Sequence, residues 1–410
     1  MNTIFLWGSR GGVSMAVALA KCMDLMTTSA VREILKVTER PEIISLAGGL
    51  PAPELFPVEE MKNVTIEVLE EAGGQALQYS TTEGFTPLRR QIAARMNRKF
   101  KTDFACENIL ITSGSQQALD FSGKLFLNEG DVVLCESPTY LTAISAFRVY
   151  KPTFVEVPTD DEGMIPDELE KVLASTANVK FIYVIPDFQN PTGRTWTWQR
   201  RRQFVEIINK YEIPVLEDNP YGELRFEGEI LPSIKSLDTR GLVIALGTFS
   251  KTFCPGLRIG WIAADIKFIE KYIMIKQCAD LHTSSMSQRQ ISKYMELYDF
   301  EQHIQQIIAV YRQRRDAMLD AMEQHFPSDI QYTRPQGGLF TWVELPPSIN
   351  AIQLLTISLR HKVAFVPGES FFPNRHVPNT LRLNYSNMPE ERIYEGIKRL
   401  AAAIRCYKAD

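Results

Sequence analysis

LVIALGTFSKTFCPGLRIGWIAA, Leu242 to Ala264, decides how the rest of the 410-residue chain reads. Leu242–Gly247 and Leu257–Ala263 have the length and branched, apolar content of buried strands. Between them lies a polar turn, Thr248-Phe249-Ser250-Lys251-Thr252, then Pro255-Gly256 and Arg258. A lysine flanked by hydroxyls and followed by an arginine can be a solvated charge beside an ion-paired one. It can also be a site. The stretches around it decide between the two.

Upstream, Pro214-Val-Leu-Glu-Asp218 is another apolar strand, followed by Asn219, Pro220 and Tyr221. A carboxylate at a buried strand end needs a cation or several donors, since leaving it unpaired there is costly. A structural ion pair and a ligand both meet that need. Lys180–Pro186 is a strand running into Asp187-Phe-Gln-Asn190-Pro-Thr-Gly193, a turn whose proline fixes where the Asn190 amide points. Asp131–Glu136 is a strand ending at Ser137-Pro-Thr-Tyr140, and Thr153–Val157 is a further one. Ile109–Thr112 is a strand turning through Ser113-Gly-Ser115-Gln116 into a helix. Such a turn caps a helix and also aims free backbone N–H groups at an anion.

The flanks complete an α/β alternation. Ser29–Val37 suits a short amphipathic helix. Ile43–Ala47 is strand-like and runs into Gly48-Gly49, where the backbone approaches a packing partner or a ligand closely. Val58–Glu71 reads as a helix stopped by Gly73-Gly74, and Thr86 caps a helix that starts with Pro87. After Lys267 come helices at Phe268–Cys278, Ser285–Leu297 and about Glu301–His325, the last carrying Arg312, Arg314 and Arg315 as a solvated face. The Asp160–Gly163 turn is expected to be solvated as well. Strands at Leu339–Leu345, Val363–Val366 and Thr380–Tyr385, with helices at Ala351–Leu359 and Pro389–Tyr407, form a second α/β unit. Arg382, in Thr380-Leu-Arg-Leu-Asn-Tyr385, reads as an edge-strand charge or as a functional one.

With 45 basic and 49 acidic side chains, the formal charge of −4 argues against a nucleic-acid footprint. Six scattered cysteines form neither a disulfide framework nor a metal knuckle and fit a reducing, cytoplasmic compartment. His282 and His303 have no neighbours at ligand spacing, so no metal is expected. No run reaches the length of a membrane span. The first twenty residues resemble a targeting segment only faintly and read as a disordered lead or the product of an upstream start codon.

Together, the hydroxyl-flanked lysine, Arg258, Asp218 and the helix start at Gly114–Gln116 suit a phosphorylated aldehyde bearing a basic ring nitrogen. Lysine forms reversible imines, and a buried aspartate keeps such a nitrogen protonated. Ser250-Lys251 with Pro255-Gly-Leu-Arg258-Ile-Gly260, Asn190-Pro-Thr-Gly193 and Asp218-x-x-Tyr221 resemble the fold-type-I pyridoxal-phosphate aminotransferases over about Ser29 to Arg399. The branch with 2-aminoadipate, kynurenine, aromatic and branched-chain aminotransferases is most similar, by Ser29-x-x-Arg32, Gly48-Gly49-Leu50-Pro51 and Asp187–Gly193.

The resemblance implies a three-layer α/β/α large domain with a mostly parallel seven-stranded sheet, plus a smaller α/β domain. The segments would be 1–28 as a lead, 29–72 joining the small domain, 73–310 for the cofactor and 311–410 for the small domain. It implies pyridoxal 5'-phosphate held as an imine by Lys251, with Ser115, Gln116, Thr248, Ser250 and Arg258 at its phosphate. Thr248 stands where many relatives have serine, and the hydroxyl is kept. Tyr140 would lie over the ring, Asp218 at its nitrogen, and Asn190 and Tyr221 at its oxygen. Tyr79 would reach the partner's phosphate in a homodimer. Arg382 would clamp the substrate carboxylate near Gly49 and Asn190, and Arg32 would meet a distal one. The implied reaction is a ping-pong transfer from an α-amino acid to a 2-oxoacid such as 2-oxoglutarate. A lyase or another reaction at the same cofactor shares the imine and the ring aspartate. A gene regulator on the same fold needs a DNA reader longer than the forty or so residues before Ile43.

Overall fold

The computed structural model describes residues 19–26 and 40–409. The Ser29–Val37 helix and Arg32 lie outside the described residues.

Fourteen strands follow in chain order: β1 (Ile44–Ser45), β2 (Ile109–Thr112), β3 (Val132–Ser137), β4 (Thr153–Asp160), β5 (Gly163–Met164), β6 (Val179–Val184), β7 (Val215–Asp218), β8 (Val243–Thr248), β9 (Gly260–Ala263), β10 (Gln331–Tyr332), β11 (Phe340–Glu344), β12 (Val363–Ala364), β13 (Val366–Pro367) and β14 (Thr380–Asn384). The large sheet has the order β2-β9-β8-β7-β6-β3-β4-β5. Neighbours from β8 through β4 are parallel, while β9 runs antiparallel to both β8 and β2. The seven expected strands are thus present. The two-residue β5, which turns back on β4, makes an eighth.

Strands covered on both faces carry apolar side chains in both directions, and every residue of β2, β3, β7, β8 and β9 is buried. The pairing of Gly247 with Trp261 explains one glycine in the deciding stretch. A Cβ at Gly247 would stand 2.3 Å from the indole, so any larger residue would push β8 and β9 apart. A smaller sheet, β10-β11-β14-β13, carries the C-terminal unit. β1 instead pairs in parallel with β12, which ties the segment before Gly48 to that unit.

Several local expectations are corrected. Gly73-Gly74 does not stop the helix, which runs Val58–Ala76 with a break in geometry at Ala72. Thr86 is the first helical residue rather than the cap, and the N–H of Phe85 is satisfied by Gln288 Oε1 at 2.7 Å. The helix Phe300–His325 presents Arg312 to water as expected, but not its other two arginines. Arg314 is buried and donates to the Ser386 carbonyl, and buried Arg315 pairs with Glu227 at 2.6 Å. The acidic turn is exposed as expected, with arginines added at its rim: Asp160 pairs with Arg200 at 2.9 Å and Asp161 with Arg194 at 2.9 Å. Arg382 is no edge charge, because β14 lies between β11 and β13. At Arg314, Arg315 and Arg382 a long basic side chain buries its stem and brings its charge to a partner, which composition along one helix or strand does not show.

Among the described residues no helix is long and apolar enough to cross a membrane, and no cluster of three or more His, Cys, Asp or Glu could hold a metal. The described cysteines are all free.

Candidate active site

Parallel strands deliver their C-terminal ends to one edge of a sheet, and ligands sit in the crevice there. Here β3, β6, β7 and β8 bring Ser137–Tyr140, Ile185–Asn190, Asp218–Tyr221 and Thr248–Lys251 to the same edge. Asp218 sits opposite Leu246, and the N–H of Asn219 donates to the Leu246 carbonyl at 3.0 Å.

Asp218 is buried, and burial raises its carboxyl from the ordinary 3.8 to about 6 against the lowering effect of its one hydrogen bond. Tyr183 donates that bond to Oδ2 at 2.8 Å, while Oδ1 is buried without a partner. Tyr183 pairs with Leu216, so side chains on that face place the phenol diagonally from Asp218. A half-satisfied buried carboxylate suits a cationic donor such as a protonated ring nitrogen.

Lys251 Nζ donates to the carbonyl of Gly49 at 2.8 Å. Burial first, then the charges of Arg382 and Arg258, lower its amine from 10.5 to about 8. Part of it is therefore neutral, and nucleophilic, near pH 7.

At the other end of the site, Thr248 Oγ1 donates to Ser250 Oγ at 2.9 Å and accepts the Ser250 N–H at 3.1 Å. Gly114 has φ +77°, a conformation glycine adopts without strain, and a Cβ there would lie 2.5 Å from an Arg258 terminal nitrogen. Arg258 is itself left-handed, at φ +56°, and its exposed guanidinium hangs beside the N-terminus of the helix Ser115–Phe126. Ser115 is half-buried there and Gln116 exposed. Backbone N–H groups, hydroxyls and a guanidinium brought together in this way are groups that can cradle a phosphate.

The third wall is built from distant segments. Arg382 is buried, donates to Asn190 Oδ1 at 2.7 Å and to the Ala47 carbonyl at 2.8 Å, and keeps Nε without a partner. Its guanidinium lies over the rings of Phe340 at 4.1 Å and Phe371 at 5.2 Å, and burial brings it down to about 10. Asn190 Nδ2 reaches the Tyr221 hydroxyl at 3.4 Å. Burial, led by neither partner, raises Tyr221 well above the usual phenol range. Tyr140, half-buried, feels the charges of Asp218, Arg382 and Arg258. A Cβ at Gly49 would stand 2.8 Å from Phe340, so the glycine lets the Ala47–Leu50 segment cross the site.

Lys251, Asp218, Tyr221, Asn190, Tyr140, Arg382 and Gly49 thus meet around one space, with Thr248, Ser250, Arg258, Ser115 and Gln116 at its phosphate-like end. Three cations face one carboxylate, which suits a strongly anionic ligand. Tyr79 stands apart: it is 79% exposed, and its ring meets His282 edge-on at 5.8 Å.

Residues the sequence did not single out complete the frame. Tyr183 orients Asp218, and Phe340 and Phe371 bracket Arg382. Glu136, buried at the end of β3, accepts from the Ile185 N–H and the Trp196 indole, both at 2.9 Å, and so holds the ends of the loop bearing Asn190. Burial raises Glu136 to about 7. Gln189 binds the Pro138 carbonyl at 2.7 Å and accepts from Thr192, tying that loop to the Tyr140 turn. Only Glu136 carried a sequence signal, a second carboxylate at a buried strand end.

The family model "Aminotransferase class I and II" matches residues 41–400. The chain is 50% identical to an aromatic-amino-acid aminotransferase of Thermococcus litoralis over 93% of this chain and 92% of the relative. It is 42% identical to a 2-aminoadipate transaminase of Thermus thermophilus, covering 96% of this chain and 98% of the relative. The crystal structure of a kynurenine aminotransferase from Pyrococcus horikoshii superposes with a TM-score of 0.91 at 44% identity, over 94% of this chain and 96% of that one. Strand-end chemistry, fold and these matches agree, and the chain belongs to the class I and II aminotransferases, of fold type I.

Proposed function

We propose that Lys251, Asp218 and Tyr221 are the catalytic residues of an aminotransferase that takes the amino group of an acidic, aromatic or branched-chain α-amino acid and passes it to a 2-oxoacid such as 2-oxoglutarate. The observation that carries the reading is the partnerless buried Oδ1 of Asp218 on the strand beside β8, which runs into the turn bearing Lys251. The cofactor of this family is pyridoxal 5'-phosphate, and the residues present fit it: a half-satisfied carboxylate for its ring nitrogen, an amine lowered to about 8 for its carbonyl, and a glycine-floored cradle for its phosphate. When bound, it supplies a carbonyl that carries the amino group between two half-reactions and a ring that spreads the electrons freed at the substrate α-carbon.

The chain's own groups do the rest. Lys251 Nζ takes the α-proton and gives it back on the same face, a general base whose neutral form is accessible near neutral pH. Asp218 holds a positive charge opposite it. Tyr221 and Asn190 would hold the ring oxygen, and Tyr140 would shield the ring from water. Ser115, Gln116, Thr248, Ser250 and Arg258 bind the phosphate. Arg382, with Nε free and one terminal nitrogen on Asn190, orients the substrate carboxylate beside Gly49. Tyr79, exposed and away from its own site, reaches the phosphate of a second copy in a homodimer, and Arg32 meets a distal substrate carboxylate. The segments 1–28, 29–72, 73–310 and 311–410 act as lead, connector, cofactor domain and small domain. The helices Val58–Ala76 and Phe300–His325 run across the two inner boundaries. Free cysteines suit a reducing cytoplasm.

The test is a panel of amino donors with 2-oxoglutarate, followed by cofactor absorbance. Conversion to the amino form with at least one donor, reversed by an oxoacid, is expected. No conversion with any donor overturns the reading.

A further inference from the structure

Behind the turn that carries Gly114 lies a charge that the chemistry above does not use. Lys276, on the helix Ile266–Ala279, has a side chain with no exposed surface. Its Nζ donates to Asp280 Oδ1 and Oδ2 at 2.8 and 2.9 Å, to Thr283 Oγ1 at 2.9 Å and to Gln117 Oε1 at 3.1 Å. Gln117 passes this on. Its Oε1 also accepts the backbone N–H of Ser113 at 2.9 Å, and its Nε2 donates to Asp280 Oδ2 at 2.8 Å. Ser113 Oγ donates to that same oxygen at 3.3 Å. Both ends of the Gly114 turn are therefore tied to one ion pair at the end of another helix, its ammonium buried and its carboxylate at the surface.

The pair also reaches the loop of Tyr79. The Thr283 carbonyl accepts from Gln288 Nε2 at 2.8 Å, and Gln288 Oε1 accepts the N–H of Phe85, which follows Gly84. A buried ammonium is costly unless all its protons are used, and here they are. Burial pushes the Asp280 carboxyl up, but hydrogen bonds from Lys276 and Gln117 outweigh it and hold the group below the usual range. An arrangement this saturated fixes a geometry, and the geometry it fixes is that of the helix start.

We propose that Lys276, acting through Asp280 and Gln117, is a positioning residue for the phosphate cradle and sets the affinity for the cofactor rather than the rate of turnover. The inference rests on the reading that Gly114–Gln116 and Arg258 take the cofactor phosphate. Without the network, the Ser113–Ser115 backbone must be ordered by the ligand itself, and affinity falls by the cost of that ordering.

The experiment titrates apo-enzyme with pyridoxal phosphate and, separately, with pyridoxal lacking the phosphate, and records apo Tm and kcat at saturating cofactor. Gln117→Leu is expected to raise the Kd for pyridoxal phosphate about tenfold, the equivalent of about 1.4 kcal/mol, while apo Tm, pyridoxal affinity and saturated kcat stay as in the parent. Lys276→Met is expected to move the same readout further and Lys276→Arg to restore part of it. Unchanged affinity in Gln117→Leu overturns the proposal, and so does equal weakening toward both ligands. If Lys276→Met does not fold, Gln117→Leu decides alone. Arg258→Ala separates the two levels. If it leaves the affinity unchanged, the phosphate reading has failed. If it weakens binding while Gln117→Leu does not, only the positioning role has failed.

Discussion

The two halves of the site are built differently. The cofactor half comes from strand ends of one sheet, each contributing a short turn: Gly114–Gln116, Asn190, Asp218–Tyr221 and Thr248–Arg258. The carboxylate half joins Arg382 on β14 to the Ala47 carbonyl, 335 residues away in sequence, and brackets it with Phe340 and Phe371. The Gly49 carbonyl, bonded to Lys251 at 2.8 Å, is the seam between them. The first half is held by the sheet ladder and is organised for chemistry. The second joins segments far apart in the chain and, in the function proposed, serves the choice of substrate. Substitutions in the first half should therefore change kcat, and those in the second chiefly KM.

The largest effect is expected at Lys251. Lys251→Ala removes covalent attachment and the proton carrier together, so kcat should fall at least about 10⁴-fold, measured in single-turnover assays with bound cofactor. Residual turnover within tenfold of the parent would erase the distinction between the halves.

Asp218→Asn should lower kcat by roughly 10²–10³. It also carries a stability signature. The carboxyl rises from 3.8 to about 6 on folding, so the folded state holds its proton longer. Asp218 therefore costs nothing below pH 4 or so, becomes destabilising as pH climbs toward 6, and above that costs on the order of 3 kcal/mol in the apo-enzyme. Above pH 6, apo Asp218→Asn should have a higher Tm than the parent, with the gap closing toward pH 4. A lower Tm at every pH would show that Asp218 is already paired.

Lys251 gives the same half a kinetic pH dependence. With its amine near 8, the rate of covalent cofactor uptake by apo-enzyme should rise about tenfold per pH unit below that value and level off above it. A rate still climbing at pH 10 would mean an ordinary solvated lysine.

In the carboxylate half the effects should be smaller and fall on KM. Arg382→Lys loses the planar fork and should raise KM about 10- to 100-fold with kcat less changed. Phe371→Leu removes one ring from the guanidinium and should raise KM only a few-fold. A larger effect on kcat than on KM in either variant would place Arg382 in the chemistry rather than in binding.

The same contrast explains what was legible. Lys251, Asp218, Asn190 and Gly114 each follow an apolar run closely enough that residue type and position suggest a role. The strand alternation gave most of the large sheet, short of β5, whose two residues show no period. Tyr183 was not legible, because its approach to Asp218 depends on strand register. Nor were Phe340, Phe371 and the Ala47 carbonyl, which are ordinary core and backbone until β11 and β14 bring them beside Arg382. Arg314 and Arg315 read as surface for the same reason: their partners lie in other segments.

The central claim is that Lys251 holds the cofactor covalently across from Asp218. Reducing the holo-protein with borohydride, digesting it and mapping the peptides by mass tests it most directly. A phosphopyridoxyl group on Lys251 alone is expected; the group on another lysine, or on none, would contradict the account.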